Sequence, residues 1–422
     1  MRFFYTIGIY LYTLGIRVVA LCGHRKARLM VRGWRECKKQ KGFKDPKEPL
    51  AWFHAASLGE FEQARPVMEG FKSRHPEYRI LLTFFSPSGY EVRKNYEGAD
   101  AVCYLPMDTP RNARRLLDKY KPDIAFFVKY EFWFNYMNEL RKRNIQTYSI
   151  CTILRENQYF FKWYGRWFTN QLHICFKQFF VQNVETLQSL EYLADFMDDK
   201  CLLTGDTRFD RVHQIAENAE RDEVVEAFLN GYDGKVLVGG STWPPDEALI
   251  HQLTANKEQL KVILAPHMIN EKHLQQIEKN FPDSVRYSVL KDLKDTKDLK
   301  DAKVLIIDNI GLLSRLYRYA DVAYIGGGFG VGIHNILEAV TFGKPVLFGP
   351  NHRKFQEAHD IIACGGGWSV ENSNQLNEIL GHLLKDNEAY AKASQACTDY
   401  MNRKLGCTRK ILNYVDEYLE EE

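Results

Sequence analysis

Short apolar runs recur along this chain, each followed by a polar or glycine-rich turn and then by a stretch with helical spacing. The runs at 51–55, 80–85, 102–105, 124–128, 146–150 and 178–181 are predicted strands, as are those at 236–238, 262–264, 304–307, 322–325 and 346–348. Continuous apolar runs belong to strands covered on both faces, so the pattern predicts an α/β fold with mostly parallel sheet. Between them the spacing predicts a helix over 57–74 that His75-Pro76 stops, one starting near Tyr90, and a basic one over 111–120. The last thirty residues also read as helix. Such folds bind ligands beyond the C-terminal ends of their strands. Glu60, Ser86, Ser88 and Glu131 all fall on that rim.

The hydrophobic pattern breaks period at the start. Residues 3–22 are apolar and aromatic, interrupted only by Arg17, and come near the length of a membrane span. From Arg17 through Lys47 there are eleven Lys and Arg, both ends counted, against only Glu36 and Asp45. An apolar helix with a dense basic flank predicts an anchor on an anionic membrane surface, with the globular part in the cytoplasm. A secretory signal is disfavoured, because no small-residue cleavage site follows. The alternative is an N-terminal helix packed on the protein. The aromatic and basic cluster over 155–168 suits domain core or a lipid-facing edge.

With 422 residues, 45% hydrophobic and 26% charged, the chain is a globular protein of two domains. The boundaries fall at 1–48 for the anchor and its flank, 49–205 for a first Rossmann-like domain and 206–422 for a second. The last helix could return to the first domain. A net charge of +3 says little, and no nucleic-acid partner is expected. Nine cysteines without a C-x-x-C pair indicate reduced thiols, with neither a disulfide framework nor a zinc site. The repeat of Lys, Asp and Leu over 290–303 reads as a solvated insertion.

The densest chemistry lies in 321–350. After the run at 322–325 come Gly326, Gly327, Gly328, Gly330 and Gly332, then a helix expected to start at His334 and to end at Gly343 and Pro345. The glycines would let backbone approach a ligand, and the helix N-terminus would hold an anionic group. The spacing is not that of a dinucleotide fingerprint. Glu338 sits one turn in, on the face of His334. It either accepts hydrogen bonds from a ribose or stabilises its own helix. A second Gly/Ser loop, 239–244, contains Ser241 and Thr242, and a third turn follows at Pro266-His267.

Glu60 has two readings. With Ser57 it forms a Ser-x-x-Glu capping box, Ser57 as N-cap and Glu60 reaching back. It could also be a general base, kept ionised by the helix N-terminus. Two α/β domains facing across a cleft describe the GT-B glycosyltransferase architecture, and no Asp-x-Asp metal motif is present.

The ordered motifs WFHAASLGE, LLTFFSPSG, YLPMDTP, KPDIAFFVKYEFW, GDTRFD, GGSTWPPDE and GGGFGVGIHNILEAVTFGKPVLFGP resemble the 3-deoxy-D-manno-octulosonic acid (Kdo) transferases of lipopolysaccharide synthesis. The resemblance implies a metal-independent, cofactor-free inverting transfer of Kdo from CMP-Kdo to the lipid A precursor. It also implies a place on the cytoplasmic face of the cell inner membrane. It assigns Glu60 as catalytic base and matches Glu131 to an acidic residue of the family's Glu-Leu-Trp segment, a second catalytic candidate. Ser241, Thr242, Pro266, His267, Gly328, Gly332, His334, Asn335 and Glu338 fall on the donor side, with Ser57, Gly59, Ser86 and Ser88 on the acceptor side. The chain departs from the family pattern at Trp133-Phe134, where Trp-Pro is usual, and at Pro266-His267-Met268, where Pro-Arg-His is usual. Arg208 and Arg353 are candidates to replace that arginine. The competing expectations are a GT-B enzyme acting on a UDP-sugar and a non-catalytic membrane-associated binding protein.

Overall fold

A computed structural model describes residues 1–43, 48–154, 158, 162, 165–193, 200–254, 259–292 and 302–420. Most of the 290–303 repeat and most of the 155–168 cluster lie outside the described residues. The chain divides into two units, Met1–Arg211 with Gly406–Glu422, and Val212–Leu405.

The first unit holds seven parallel strands: β1 Leu50–Ala55, β2 Arg79–Phe84, β3 Ala101–Tyr104, β4 Ile124–Val128, β5 Gln146–Thr152, β6 Gln178–Val181 and β7 Cys201–Leu203. Their order is β3-β2-β1-β4-β5-β6-β7. Every residue of β1 and β4 is buried, as continuous apolar runs require. One face of the sheet packs Trp52, Phe127, Tyr136 and Phe179. The other packs Phe53, Phe126 and Phe180 against the Leu58–Arg74 helix and against Ile411, Leu412 and Val415 of the Cys407–Glu420 helix. The expected C-terminal helix is therefore two, Asn387–Lys404 and Cys407–Glu420. The break has a local cause: both carboxylate oxygens of Asp210 accept amides there, from Gly406 and Thr408.

The second unit repeats the plan with β8 Lys235–Thr242, β9 Leu260–Pro266, β10 Ser284–Arg286, β11 Val304–Ile306, β12 Val322–Ile325, β13 Val346–Phe348 and β14 Gly367–Ser369. These are parallel in the order β10-β11-β9-β8-β12-β13-β14. In both sheets the winding direction reverses beside the first strand of the unit, between β1 and β4 and between β8 and β12. Crevices at such reversals are where open parallel sheets bind ligands.

The N-terminal Arg2–Leu21 helix is long and apolar enough to cross a membrane. One stripe of it is docked. Ile9 packs with Trp34, Tyr104 and Met107, and the Tyr5 hydroxyl donates to Asp108 at 2.7 Å. The rest is bare, with Phe3 and Phe4 each 71% exposed and Leu21 84% exposed. The helix thus combines the two expectations, a packed stripe and a free apolar surface. Against its C-terminal end the basic Arg25–Lys39 helix forms a groove of about 890 Å³ whose charged lining is Arg17, Arg28, Arg35, Lys38, Lys39 and the Arg32–Glu36 ion pair.

Candidate functional site

In the first unit the crevice is made by the turns after β1 and β4. Glu60, in the first turn of the Leu58–Arg74 helix, is 7% exposed. Its Oε2 accepts the Ala56 amide at 2.5 Å, so the carboxylate does reach back over the helix start. Ser57 is the N-cap but its hydroxyl makes no capping bond, so the capping box is only half formed. The expectation that the helix end holds Glu60 ionised is corrected. Burial, reinforced by the Glu131 charge, pushes its pKa up to about 7, against the pull of Lys129 and the Ala56 and Ser57 amides. Desolvation wins because the carboxylate is shut off from water on most sides. A carboxylate poised near 7 is better matched to general-base work than one near 4.5.

Glu131 follows β4; its Oε2 accepts the Trp133 indole N–H at 2.9 Å and faces His54 Nε2 at 3.5 Å, a nitrogen that makes no hydrogen bond among the described residues. His54 is a fully buried residue of β1 whose Nδ1 meets the Thr83 hydroxyl at 2.8 Å. Gly59 is exposed, with open space where a Cβ would stand. Ser86 caps the Pro87–Arg93 helix after β2, and its Oγ lies 3.0 Å from that of Ser88. Sequence reasoning missed His54 and Lys129. Both stand inside quoted motifs, but a buried His on a strand carries no signal of its own.

The Glu60–Glu131 repulsion makes a pH prediction. A base must be ionised, so activity should rise with pH through about 7. Removing the Glu131 charge should ease Glu60 ionisation. Glu131→Gln is therefore expected to move the acid limb of kcat/KM to lower pH. An unmoved or raised limb means that Glu60 is not the group titrating.

In the second unit the loops after β8, β9 and β12 meet. Ser241 takes the left-handed backbone, φ 51°, where β8 slips register against β9, and Thr242 pairs with Pro266 at the end of β9. A non-glycine residue in that region is held there at a cost by its surroundings. A Cβ on Gly326 would strike the Ser241 carbonyl, and one on Gly328 would stand 2.5 Å from the Gly349 Cα. Glycine is thus required here by close backbone approach.

The helix expected from His334 is corrected. Only Leu337–Val340 is helical, a single turn. The amides expected to face a ligand are largely spent. Gly332 donates to the Gly327 carbonyl, Ile333 to that of Asn351 and His334 to that of Gly326. The glycine loop folds back on itself, which leaves no room for a regular N-terminus. Glu338 accepts from Asn335 Nδ2 at 3.1 Å.

Three rings line this crevice. Trp243 stacks on His267 at 4.7 Å and His267 on His334 at 4.6 Å, while the Trp243 indole N–H donates to His334 Nε2 at 3.3 Å. Burial and the neighbouring His267 lower the His334 pKa, so it is neutral at pH 7 and that nitrogen accepts. Beneath the rings lies Asp246, which sequence reasoning gave no role. It is fully buried and accepts the Trp243 and Gly327 amides at Oδ2 and the Tyr324 hydroxyl at Oδ1, each at 2.9 Å. Glu247 beside it accepts from Thr242 and meets His273, whose other nitrogen meets the Met268 carbonyl and so fixes the Pro266-His267-Met268 turn. Of the two candidate arginines, Arg208 is paired with Asp206 at 2.7 Å, while Arg353 is exposed in the loop after β13.

Residues 32–211 match the family of 3-deoxy-D-manno-octulosonic-acid transferases. A transferase of that description from Chlamydophila psittaci is 28% identical over 366 residues, 83% of this chain and 82% of the relative. One from Aquifex aeolicus is 27% identical over 357 residues, 80% of this chain and 89% of the relative. Among solved structures, UDP-GlcNAc 2-epimerase from Neisseria meningitidis bound to UDP-GlcNAc superposes with a TM-score of 0.60 at 16% identity, covering 90% of this chain and all of that one. That likeness is one of fold, the GT-B fold expected from the sequence.

Proposed function

We infer that this chain, a member of the Kdo transferase family, is an inverting glycosyltransferase that moves Kdo from CMP-Kdo to the lipid A precursor of lipopolysaccharide. The observation that carries the mechanism is Glu60, a buried carboxylate at the β1/β4 reversal with a pKa near 7. It takes the proton from the acceptor hydroxyl as that oxygen attacks the anomeric carbon of Kdo. The bond to the CMP phosphate breaks on the opposite face, and configuration inverts. CMP is already a good leaving group, so the reaction proceeds without a metal or cofactor.

The second unit holds the nucleotide. The ring stack of Trp243, His267 and His334, the strained Ser241 and the close glycine loop support that assignment. Arg353 takes the place of the missing arginine beside the donor phosphate or carboxylate. The enzyme works at the cytoplasmic face of the inner membrane. The exposed apolar surface of Arg2–Leu21 and the cationic groove beside it support contact with an anionic bilayer and a phosphorylated lipid acceptor.

The test is the purified chain with CMP-Kdo and lipid A precursor, followed by CMP release and the mass of the lipid product. Expected is CMP release that requires the lipid, with a product heavier by Kdo. Turnover of a UDP-sugar instead, or nucleotide binding without transfer, would overturn the reading.

A further inference from the structure

We propose that Lys129 is the oxyanion-binding residue of the first unit's crevice, pairing with a substrate carboxylate or phosphate beside Glu60. The inference rests on the transferase reading above and specifies what the crevice recognises.

Lys129 is the first residue beyond β4, at the β1/β4 reversal. Its backbone is in the left-handed region, φ 60°. Lysine is not among the residues that adopt this conformation cheaply. The surroundings impose it: the Lys129 amide donates to the Ile150 carbonyl at 2.9 Å, and its carbonyl accepts the Ser149 hydroxyl at 3.2 Å. The residue is therefore placed with accuracy, and a bent backbone is maintained around a cation.

That cation is unspent. Lys129 is partly buried, yet among the described residues its ammonium is in no ion pair within 4.0 Å. Two carboxylates share the crevice, but each has its own donors. Glu60 takes the Ala56 amide, and Glu131 takes the Trp133 indole and faces His54. Lys129 is near enough to favour the charged form of Glu60 without pairing with it.

The substrates supply what is missing. Kdo carries its carboxylate on the carbon that accepts the new bond, and the lipid acceptor carries phosphates. Either oxyanion, carried beside Glu60 when the acceptor hydroxyl and the anomeric carbon are in position, would meet two carboxylates at short range. Like charges at such distances in a partly desolvated site repel strongly. A lysine there offsets the repulsion and, as a point charge with three donors, pairs with carboxylate or phosphate alike.

The experiment uses the full chain with Lys129→Gln and Lys129→Arg, in initial-rate assays varying CMP-Kdo and the lipid acceptor separately. Lys129→Gln is expected to raise one KM by about tenfold or more, as loss of a charge-assisted hydrogen bond does. Its kcat should change less, its melting temperature should be unchanged, and arginine should restore most of the affinity. A rise confined to CMP-Kdo identifies the Kdo carboxylate as the ligand. A rise confined to the acceptor, abolished with a dephosphorylated acceptor, identifies a phosphate. Both KM values within twofold of wild type overturn the proposal while leaving the transferase reading intact. A wild-type chain that does not turn over CMP-Kdo overturns both.

Discussion

Glu60→Gln is expected to reduce kcat at least about a hundredfold while melting and CMP binding stay near wild type. The amide oxygen of Gln can still accept the Ala56 N–H that Glu60 Oε2 accepts now, so the local structure has what it needs. It cannot take up a proton, and that is the property a base contributes. The loss belongs in kcat, because the proton moves only as the acceptor attacks. The pKa shift fixes the sign of a companion effect. A carboxyl raised in the fold from 4.5 to about 7 contributes stability below pH 4.5 that is lost as pH rises through about 7. Gln mimics the protonated form, so at pH 8 the variant should melt no lower than wild type. Ser57→Ala is the control. With no capping bond from its hydroxyl, it should cost less than the typical ~1 kcal/mol of a lost N-cap, and it should keep most of the activity. A Glu60→Gln enzyme within a few-fold of wild type would transfer the role of base to another group, with Glu131 the first to examine.

Asp246→Ala should destabilise the second unit by about 3–5 kcal/mol and abolish nucleotide binding. Its carboxylate is fully buried and satisfies three donors: two amides, one of them from the glycine loop, and the Tyr324 hydroxyl. Each buried donor left without a partner costs about 1–3 kcal/mol. That is a large part of the 5–15 kcal/mol by which a typical domain is stable at all. Urea unfolding of the full chain should show an early transition from this unit alone. A loss below about 1 kcal/mol would mean that water enters and replaces the carboxylate, and that Asp246 does not hold the glycine loop.

The central strands were legible because continuous apolar runs need no tertiary information to be recognised. The edge strands Cys201–Leu203, Ser284–Arg286 and Gly367–Ser369 were not, since three residues carry no period and are partly exposed. Glu60, Glu131 and the loops at Ser241 and Gly326 were found from their positions after strands. The environment of Glu60 was misread, because its burial comes from packing that no local spacing records. The same limit applies to the expected helix at His334. Its glycine loop satisfies its own amides across distances of five to eight residues, for instance from Gly332 to Gly327 and from His334 to Gly326, and consumes the first turn. Asp246 stood in plain view behind two prolines, but a carboxylate that holds three partners from two strand ends looks in sequence like any first-turn acid.

The Cys407–Glu420 helix also has a consequence in time. It covers one face of the first sheet, with Ile411, Leu412 and Val415 buried among side chains of β1, β2, β4 and β5. On the ribosome that sheet emerges first and its cover emerges last, after all of Val212–Leu405. At about 5–20 residues per second the wait is roughly 10–40 s. By the end of that interval the second unit has everything required to fold, whereas Phe53, Phe126 and Phe180 have lacked their final neighbours throughout, on a nascent chain whose apolar N-terminal helix is already out. The order of synthesis thus runs against the order of completion: the unit begun first is the one sealed last.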